Sequence, residues 1–418
     1  MSAFWIIGLV GLNLGLIFLL MAAPVGRRSV GASAIIHASR DLVWSAVYPL
    51  GANAGWSGQI LSAGRAPDQA NTVAMQLSWQ GRDGMPIRRL AELSEVEPGE
   101  RFSLAIVDDS SLDHSFWANY SESTRIADHG PGKVRITMRQ TDHYRGAAFM
   151  VFRYFAIRRE LAKLKIWAET GAYSKGGIFE HPLTQVAMAS ISALLLWPVF
   201  GLNLTGFVLA TALTAVVAFH ELGHMAAFRV MGHSSARMVF IPFLGGIAIG
   251  GRPYDSRFEV AFSALMGAGF SAFLVPISIA GAGWAQDSAW YGTAAVLTAF
   301  AAAAAVFNLA NLVPIWKFDG GQVLRQICTS DLQLGLASFT LLSLFLALGY
   351  AIGLQTNFLI IGGCVFALLS IITAGGGVKL KGELKPISGF DSLAIAAALL
   401  SAGVVHGYGV WWAVSQFG

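Results

Sequence analysis

The chain has 418 residues, 55% of them hydrophobic and 12% charged, where a soluble domain carries about 25% charged residues. The mean hydropathy is +0.58, which excludes an ordinary soluble protein and points to a chain crossing a membrane several times. A formal net charge of +4 without a basic run bearing aromatics excludes a nucleic-acid partner. The two cysteines, Cys328 and Cys364, suit neither a disulfide framework nor a thiolate metal site.

The charge is unevenly placed. Between Arg27 and Lys175 lie 19 of the 28 Lys and Arg residues, and between Asp41 and Glu180 lie 16 of the 24 Asp and Glu residues. A soluble domain is therefore expected inside an otherwise apolar chain. Phe4–Val25 is long enough to cross a bilayer. No positive charge precedes it and Arg27-Arg28 follow, so it reads as a retained anchor with a cytoplasmic C-terminal flank rather than a signal peptide.

From Ser29 to Gly171 the pattern is α+β. Val30–Ile36 predicts a strand, and Ser39 is placed to cap a helix over Arg40–Val47. Thr72–Trp79, Phe102–Val107, Phe116–Glu122 and Val134–Gln140 alternate as strands between turn clusters. Ala147–Ala168 predicts a long helix. Its apolar side carries Phe149, Phe152, Phe155, Ala156, Leu161, Leu164 and Trp167, and Arg153, Arg158, Arg159, Glu160 and Lys163 lie mostly opposite. Strand, helix, antiparallel strands and a long closing helix are the order of a helix-grip fold. With Ala38-Ser39-Arg40-Asp41-Leu42-Val43-Trp44, Glu97-Pro98-Gly99-Glu100-Arg101 and Leu161–Glu169, the stretch resembles the START-like, polyketide-cyclase-like superfamily. The resemblance implies a domain that often encloses an apolar ligand between sheet and helix. A filled core used for docking or regulation is the alternative.

After the link Tyr173–His181, Leu183–Phe200 and Thr205–Phe228 read as spans. The second carries Ala218-Phe219-His220-Glu221-Leu222-Gly223-His224-Met225-Ala226-Ala227. His220 and His224 are four residues apart, so on a helix their rings share a face and can share a metal ion, with Glu221 beside them as general base. An ionisable cluster in an apolar span is functional by default. Val239–Gly251 is apolar but too short and glycine-rich to span as a helix, so a re-entrant segment or β-hairpin is expected, buried in protein or lining a cavity. Further spans read as Val260–Ala282, Thr293–Leu312, Leu334–Ile352, Phe358–Thr373 and Ser392–Val414.

The expected fold is thus a polytopic α-helical membrane protein of about eight spans, with a cytoplasmic α+β helix-grip domain between the first and second. Alternation puts Arg229, Arg237, Arg252, Arg257, Lys317, Arg325, Lys379, Lys381 and Lys385 on the cytoplasmic side of a prokaryotic cell membrane, and the histidine pair near that face. The chain divides into an anchor (1–28), the helix-grip domain (29–171), a catalytic core (172–326) and C-terminal helices (327–418).

A catalytic zinc takes three protein ligands. Asp255, Glu259, Asp287 and Glu383 sit in short polar loops and read as solvated. Asp319 follows a span directly, on the side of the histidines. Gly320 and Gly321 would let the backbone turn sharply after it, and Pro314 helps to end the helix before it. The pair of motifs, His220-Glu221-Leu222-Gly223-His224 and Asn311-Leu312-Val313-Pro314 leading to Asp319-Gly320, resembles the site-2 protease family of intramembrane zinc metalloproteases over roughly Leu183–Val323. Phe240–Ala248 resembles that family's membrane-embedded hairpin. The resemblance implies His220, His224 and Asp319 as ligands of one Zn2+ per chain and Glu221 as base. Asn311 or Asn308 could hydrogen-bond the substrate, with interhelical glue as the other reading of both and the more so of Asn308, and Gly245 and Gly246 of the Val239–Gly251 segment could bind it by edge pairing. The expected substrate is a single-span membrane protein, cleaved in or near its transmembrane segment. Trp316-Lys317-Phe318 replaces the family's more usual proline-rich link.

Two other functions fit the same residues. One is a membrane-tethered lipid or small-molecule binding protein with a structural metal, for which His233 is the only nearby spare ligand. The other is an ion-coupled transporter with His220, Glu221 and Asp319 as a relay. His37, His114, His129, His143, His181 and His406 read as structural or exposed, with His129 and His143 in loops.

Overall fold

The computed structural model describes residues 11–12, 15–16, 18–20, 22–67, 69–173, 181–241, 245–315, 317–373 and 381–417. Half of the expected anchor Phe4–Val25, most of the link Tyr173–His181, and Trp316 lie outside the described residues. The chain forms two compact units, residues 1–177 with 375–383 and residues 178–374 with 384–418.

The first unit is a seven-stranded antiparallel sheet with helices against it. In chain order it runs β1 (Pro24–Ile36), α1 (Arg40–Val47), β2 (Ile60–Ala66), β3 (Gln69–Gln80), β4 (Pro86–Glu97), β5 (Arg101–Asp109), α2 (His114–Trp117), β6 (Ser121–Asp128), β7 (Val134–Arg145) and α3 (Ala147–Thr170). The sheet order is β1-β7-β6-β5-β4-β3-β2. Ser39 accepts the Leu42 N–H and starts α1. Gly171, at φ 71°, ends α3 by returning its N–H to the Trp167 carbonyl. Period-two alternation turns Ile126, Val134, Ile136, Val30 and Ile36 onto one face, where they meet Val43, Ile157, Leu161 and Leu164 in the main core. This is the helix-grip arrangement.

Three local expectations change. Pro24 and Val25, expected to end the apolar run, belong to β1, so Arg27 and Arg28 are strand residues facing His143 and Asp142 of β7. His143 accordingly lies in a strand, not a loop. Phe116–Glu122 does not form one strand. Asp113 accepts the Ser115 N–H and nucleates the short α2, and the chain extends only from Ser121. The expected apolar side of α3 also splits: Leu161 and Leu164 are buried, whereas Phe149, Phe152 and Phe155 are exposed. Nine residues separate Phe152 from Leu161 and Phe155 from Leu164, half a turn of helix, so when the leucines face the sheet the phenylalanines face away.

The second unit is helical apart from one hairpin: α4 (Pro182–Phe200), α5 (Leu204–Val230), β8 (Arg237–Ile241), β9 (Gly245–Ile249), α6 (Arg257–Ser271), α7 (Leu274–Asp287), α8 (Tyr291–Asn311), α9 (Asp319–Ile327), α10 (Asp331–Ala351), α11 (Thr356–Thr373) and α12 (Gly389–Phe417). Among the described residues, six helices are long and apolar enough to cross a membrane, counting Arg257–Asp287 as one. The stretch Leu359–Leu369 of α11 is apolar but shorter.

The expected span Val260–Ala282 is two helices with a break at Ala272–Phe273. Pro276 has no N–H for the Ala272 carbonyl. Ser271 also turns its hydroxyl back to the Gly267 and Ala268 carbonyls at 3.0 and 3.2 Å. The freed Ala268 carbonyl is met by Nε2 of the buried His406 on α12 at 3.0 Å. Ile395, Leu399 and Ala402 of α12 share one core with Ala264, Ala268, Leu312 and Leu324, so the last helix packs with the helices that carry the motifs.

Val239–Gly251 resolves as an antiparallel hairpin, not a re-entrant helix, pairing Val239 with Ile247 and Phe240 with Gly246. The glycines after Asp319 act otherwise than expected. They are helical, and a Cβ on Gly320 or Gly321 would fall 1.9 Å from the Leu312 or Ile315 carbonyl oxygen. Their role is close approach, not a sharp turn.

Candidate metal centre

His220, Glu221 and His224 sit on one turn of α5, and Asp319 opens α9. Two features bring the helices close. Gly223, between the histidines, lies so near α6 that a Cβ would stand 2.1 Å from the Met266 carbonyl oxygen. Gly267 of α6 faces both imidazoles, and a Cβ there would lie 2.5 Å from His224 Nε2 and 2.6 Å from His220 Cε1. The site is therefore built against bare backbone.

Three acceptor atoms converge there. His220 Nε2 is 3.1 Å from His224 Nε2 and 3.1 Å from Asp319 Oδ2, and His224 Nε2 is 3.4 Å from Asp319 Oδ2. The opposite ring nitrogens fix the tautomers. His220 Nδ1 lies 2.8 Å from Asn308 Oδ1, and the Asn308 amide is oriented by its own N–H bond to the Ala304 carbonyl. His224 Nδ1 lies 2.7 Å from the Ser263 carbonyl. Because both partners are acceptors, each Nδ1 carries the proton and each Nε2 presents a lone pair. Asp319 Oδ2 is buried and has no hydrogen-bond donor. Lone pairs packed this closely are balanced either by a proton on an imidazole or by a shared metal ion.

The residues fit zinc on this evidence. Tetrahedral ligands about 2.0–2.1 Å from the ion stand roughly 3.3 Å from each other, close to the spacings seen. Among the described residues, these three form the one cluster of His, Cys, Asp and Glu with ligand spacing.

Glu221 points from the same turn toward the hairpin. Its Oε2 accepts the Ala248 N–H at 2.8 Å, and Gly246 packs so closely that a Cβ would lie 2.3 Å from Glu221 Cγ. A cavity of about 370 Å³ opens beside them, lined by Ser192, Thr214, Val217, His220, Glu221, Phe240, Gly245, Gly246, Phe307 and Asn311 among others. All seven sequence-derived site residues thus meet in one region, with Gly245, Gly246 and Asn311 on the cavity wall.

The sequence reading named Asn308 and Glu259 but missed their roles, and other participants escaped it altogether. Asn308, wholly buried, is the partner of His220. Its only sequence signal is an amide in an apolar helix. Gly267, the Ser263 carbonyl and the Ala248 N–H carry no signal. Glu259, expected to be solvated, is buried and binds His233 at 2.8 Å and Arg252 at 2.7 Å. That bond commits His233, the proposed spare ligand, elsewhere. His406 is fully buried, as a structural reading allows.

No protein-family description matches the chain, and no curated protein matches it. Solved structures do. A START superfamily protein from Mycobacterium smegmatis is 10% identical over 32% of this chain and 93% of its own, with a TM-score of 0.24. An aromatase/cyclase from a Streptomyces species is 10% identical over 35% of this chain and 99% of its own, with a TM-score of 0.25. The Aha1 dimer from Colwellia psychrerythraea is 14% identical over 34% of this chain and 98% of its own, with a TM-score of 0.27.

Proposed function

We propose that the chain is a multi-pass intramembrane zinc metalloprotease of the site-2 type, cleaving a peptide bond in or near a transmembrane segment of a single-span protein. The observation that carries this reading is the convergence of two imidazole lone pairs and a donorless carboxylate oxygen at 3.1–3.4 Å, beside Glu221, on a helix apolar enough to cross a membrane. His220, His224 and Asp319 would hold one Zn2+. Zinc, when bound, would polarise the scissile carbonyl and bring the pKa of a water toward about 7.

The chain's own residues do the rest. The Ala248 N–H holds Glu221 Oε2, leaving Oε1 to take the water's proton and return it to the leaving amine. A helical substrate hides its peptide bonds in i→i−4 pairs and must unwind first. Phe240 and Ala248 direct their N–H groups outward from the hairpin, to Gln185 and Glu221 respectively, so Gly246, opposite Phe240, also turns its backbone outward. An extended substrate strand would pair with that edge. Asn311, whose amide N–H is used by the Phe307 carbonyl, offers its oxygen to a substrate N–H. The helix-grip unit would regulate this activity from the cytoplasmic side.

A structural zinc would close its shell with a fourth protein ligand, and His233 is bonded to Glu259 instead. Metal content and cleavage together test the reading. Purified chain should carry about one zinc, lost in His220→Ala. Glu221→Gln should keep the zinc while an uncleaved single-span protein accumulates in membranes. Full cleavage by Glu221→Gln would sink the mechanism, and a metal-free wild type with intact His220 and His224 would sink the metal assignment.

A further inference from the structure

The first turns of α3 present large apolar side chains to the outside. Phe152 is 74% exposed, Phe155 60%, Phe149 51% and Val151 50%, while the side that packs on the sheet is carried by Ile157, Leu161 and Leu164 further along. Four such side chains within seven residues form a patch that a water-facing surface rarely keeps. The patch has a fixed place in the chain. The Gly146 N–H, immediately before α3, donates to the Ala23 carbonyl at 2.8 Å, and Pro24 pairs with Arg145 at the end of the β1–β7 ladder. Ala23 lies at the end of the apolar run Phe4–Val25. The aromatic turns therefore start where that run delivers the chain to the soluble unit, within about 14 Å of helix rise. Exposed basic residues lie near them in the chain or ladder: Arg27 and Arg28 on β1, Arg145 at the end of β7, and Arg158 and Arg159 about one turn beyond Phe155.

We infer that the first three turns of α3 lie in the headgroup region of an anionic phospholipid bilayer. Phe149, Val151, Phe152 and Phe155 sit among the upper acyl chains, and the arginines reach phosphates. Apolar side chains on one side of a helix with basic residues at its margin are what an interfacial helix requires. The occupant is a bilayer and not a second protein because the patch begins beside the exit of a membrane-length apolar run, and because the exposed charge near it is basic, the sign that anionic headgroups attract. The inference rests on the membrane reading above. It adds that the helix-grip unit is anchored by a second, non-covalent contact.

Nitroxide scanning of the full chain tests it. Cys328→Ser and Cys364→Ser supply the background. Single cysteines would be placed by Phe152→Cys and Phe155→Cys, by Ala162→Cys at an exposed position of the same helix about two turns beyond Phe155 and outside the proposed contact, and by Leu344→Cys on the apolar surface of α10. The labelled protein goes into vesicles of phosphatidylethanolamine and phosphatidylglycerol, and collision rates with oxygen and with a water-soluble nickel chelate are compared. Positions 152 and 155 should favour oxygen over nickel several-fold relative to position 162, and arginine charge reversal at Arg145 and Arg158 should shrink that ratio. If position 344 favours oxygen while 152 and 155 behave like 162, the inference falls and the membrane reading survives. Labels at 152 and 155 shielded from both reagents would mean that protein covers the patch, which also overturns it. A position 344 open to nickel would overturn the membrane reading itself.

Discussion

Asn308 does for His220 what no ligand can do for itself. An imidazole in an apolar helix can protonate either nitrogen, and only one choice leaves a lone pair for a metal. The 2.8 Å contact from Asn308 Oδ1 selects the Nδ1–H tautomer, and the amide cannot flip because its Nδ2 is bonded to the Ala304 carbonyl. Asn308→Ala should therefore leave a buried N–H unpaired and lower zinc affinity by about 10–100-fold, with His220 and His224 still in place. Competition against a graded series of chelators measures it. Affinity unchanged from wild type would mean that the tautomer is set by something other than Asn308. Asn308→Asp keeps the acceptor and should retain more zinc than the alanine variant. The motif at His220–His224 was legible because its three residues act within one helical turn. Asn308 was not, because its partner is 88 residues away and nothing local distinguishes a bridging amide from interhelical glue.

Among elements, the hairpin β8–β9 ties the base to the cavity. Its backbone meets Glu221 twice, through the Ala248 N–H and through the absence of a side chain at Gly246. Gly246→Ala would push the carboxylate by roughly the 1 Å that can cost about 10²-fold in rate. Zinc should stay bound, since Gly246 touches no ligand. A variant with wild-type turnover would show that Glu221 has freedom to spare. The base of the hairpin is fixed by charge. Glu259 at the start of α6 receives His233, Arg252 and the Asp255 N–H, tying the segments on both sides of β8–β9 to one carboxylate. Removing one member of a buried ion cluster leaves the others uncompensated, so Glu259→Ala should cost about 3–5 kcal/mol. Thermal unfolding in detergent reads the loss, and Glu259→Gln, which keeps the shape, should lose less. No loss in either variant would show that the cluster does not hold the hairpin. Sequence periodicity could find the hairpin but not this cluster, because Glu259 in a polar loop looks the same whether water or Arg252 meets it. At α3 the error lies in the period itself: at about 100° per residue Phe152 stands half a turn round the helix from Leu161, and Phe155 from Leu164, so the aromatics and the buried leucines occupy opposite faces.

For the molecule as a whole, composition foretold the division into a charged α+β unit and an apolar helical one, since charged side chains collect where the surface meets water and long apolar helices carry few of them. The return of Lys381 to the first unit, where its N–H reaches the Ser111 carbonyl and Nζ reaches Asp108, left no such trace, because a short polar link gives no sign of where it docks. The interior of the first unit also departs from the uniformly apolar filling that a grip around an apolar ligand suggests. Glu122 receives the Tyr120 hydroxyl and the Gln140 amide, Arg153 reaches Gln140 and Asp142, and Glu160 of α3 is met by Gln59. Burial raises the Glu160 pKa above the ordinary carboxylate value, against the pull of Lys163 and the Gln59 contact. The folded unit therefore binds this proton more tightly than the unfolded chain does. Stability from this group is fully present below the unfolded pKa of about 4.3 and is lost as pH rises through the higher folded value. Glu160→Gln keeps the volume and the bond to Gln59 without a charge to bury. Its stability relative to wild type should accordingly increase as pH is raised from 4 toward 7, then level off once wild-type Glu160 is ionised. Denaturant unfolding of the full chain, followed by the tryptophans of the first unit at several pH values, gives the difference curve. A flat curve would show that Glu160 ionises as easily in the fold as outside it, and that the polar interior of the grip is open to water.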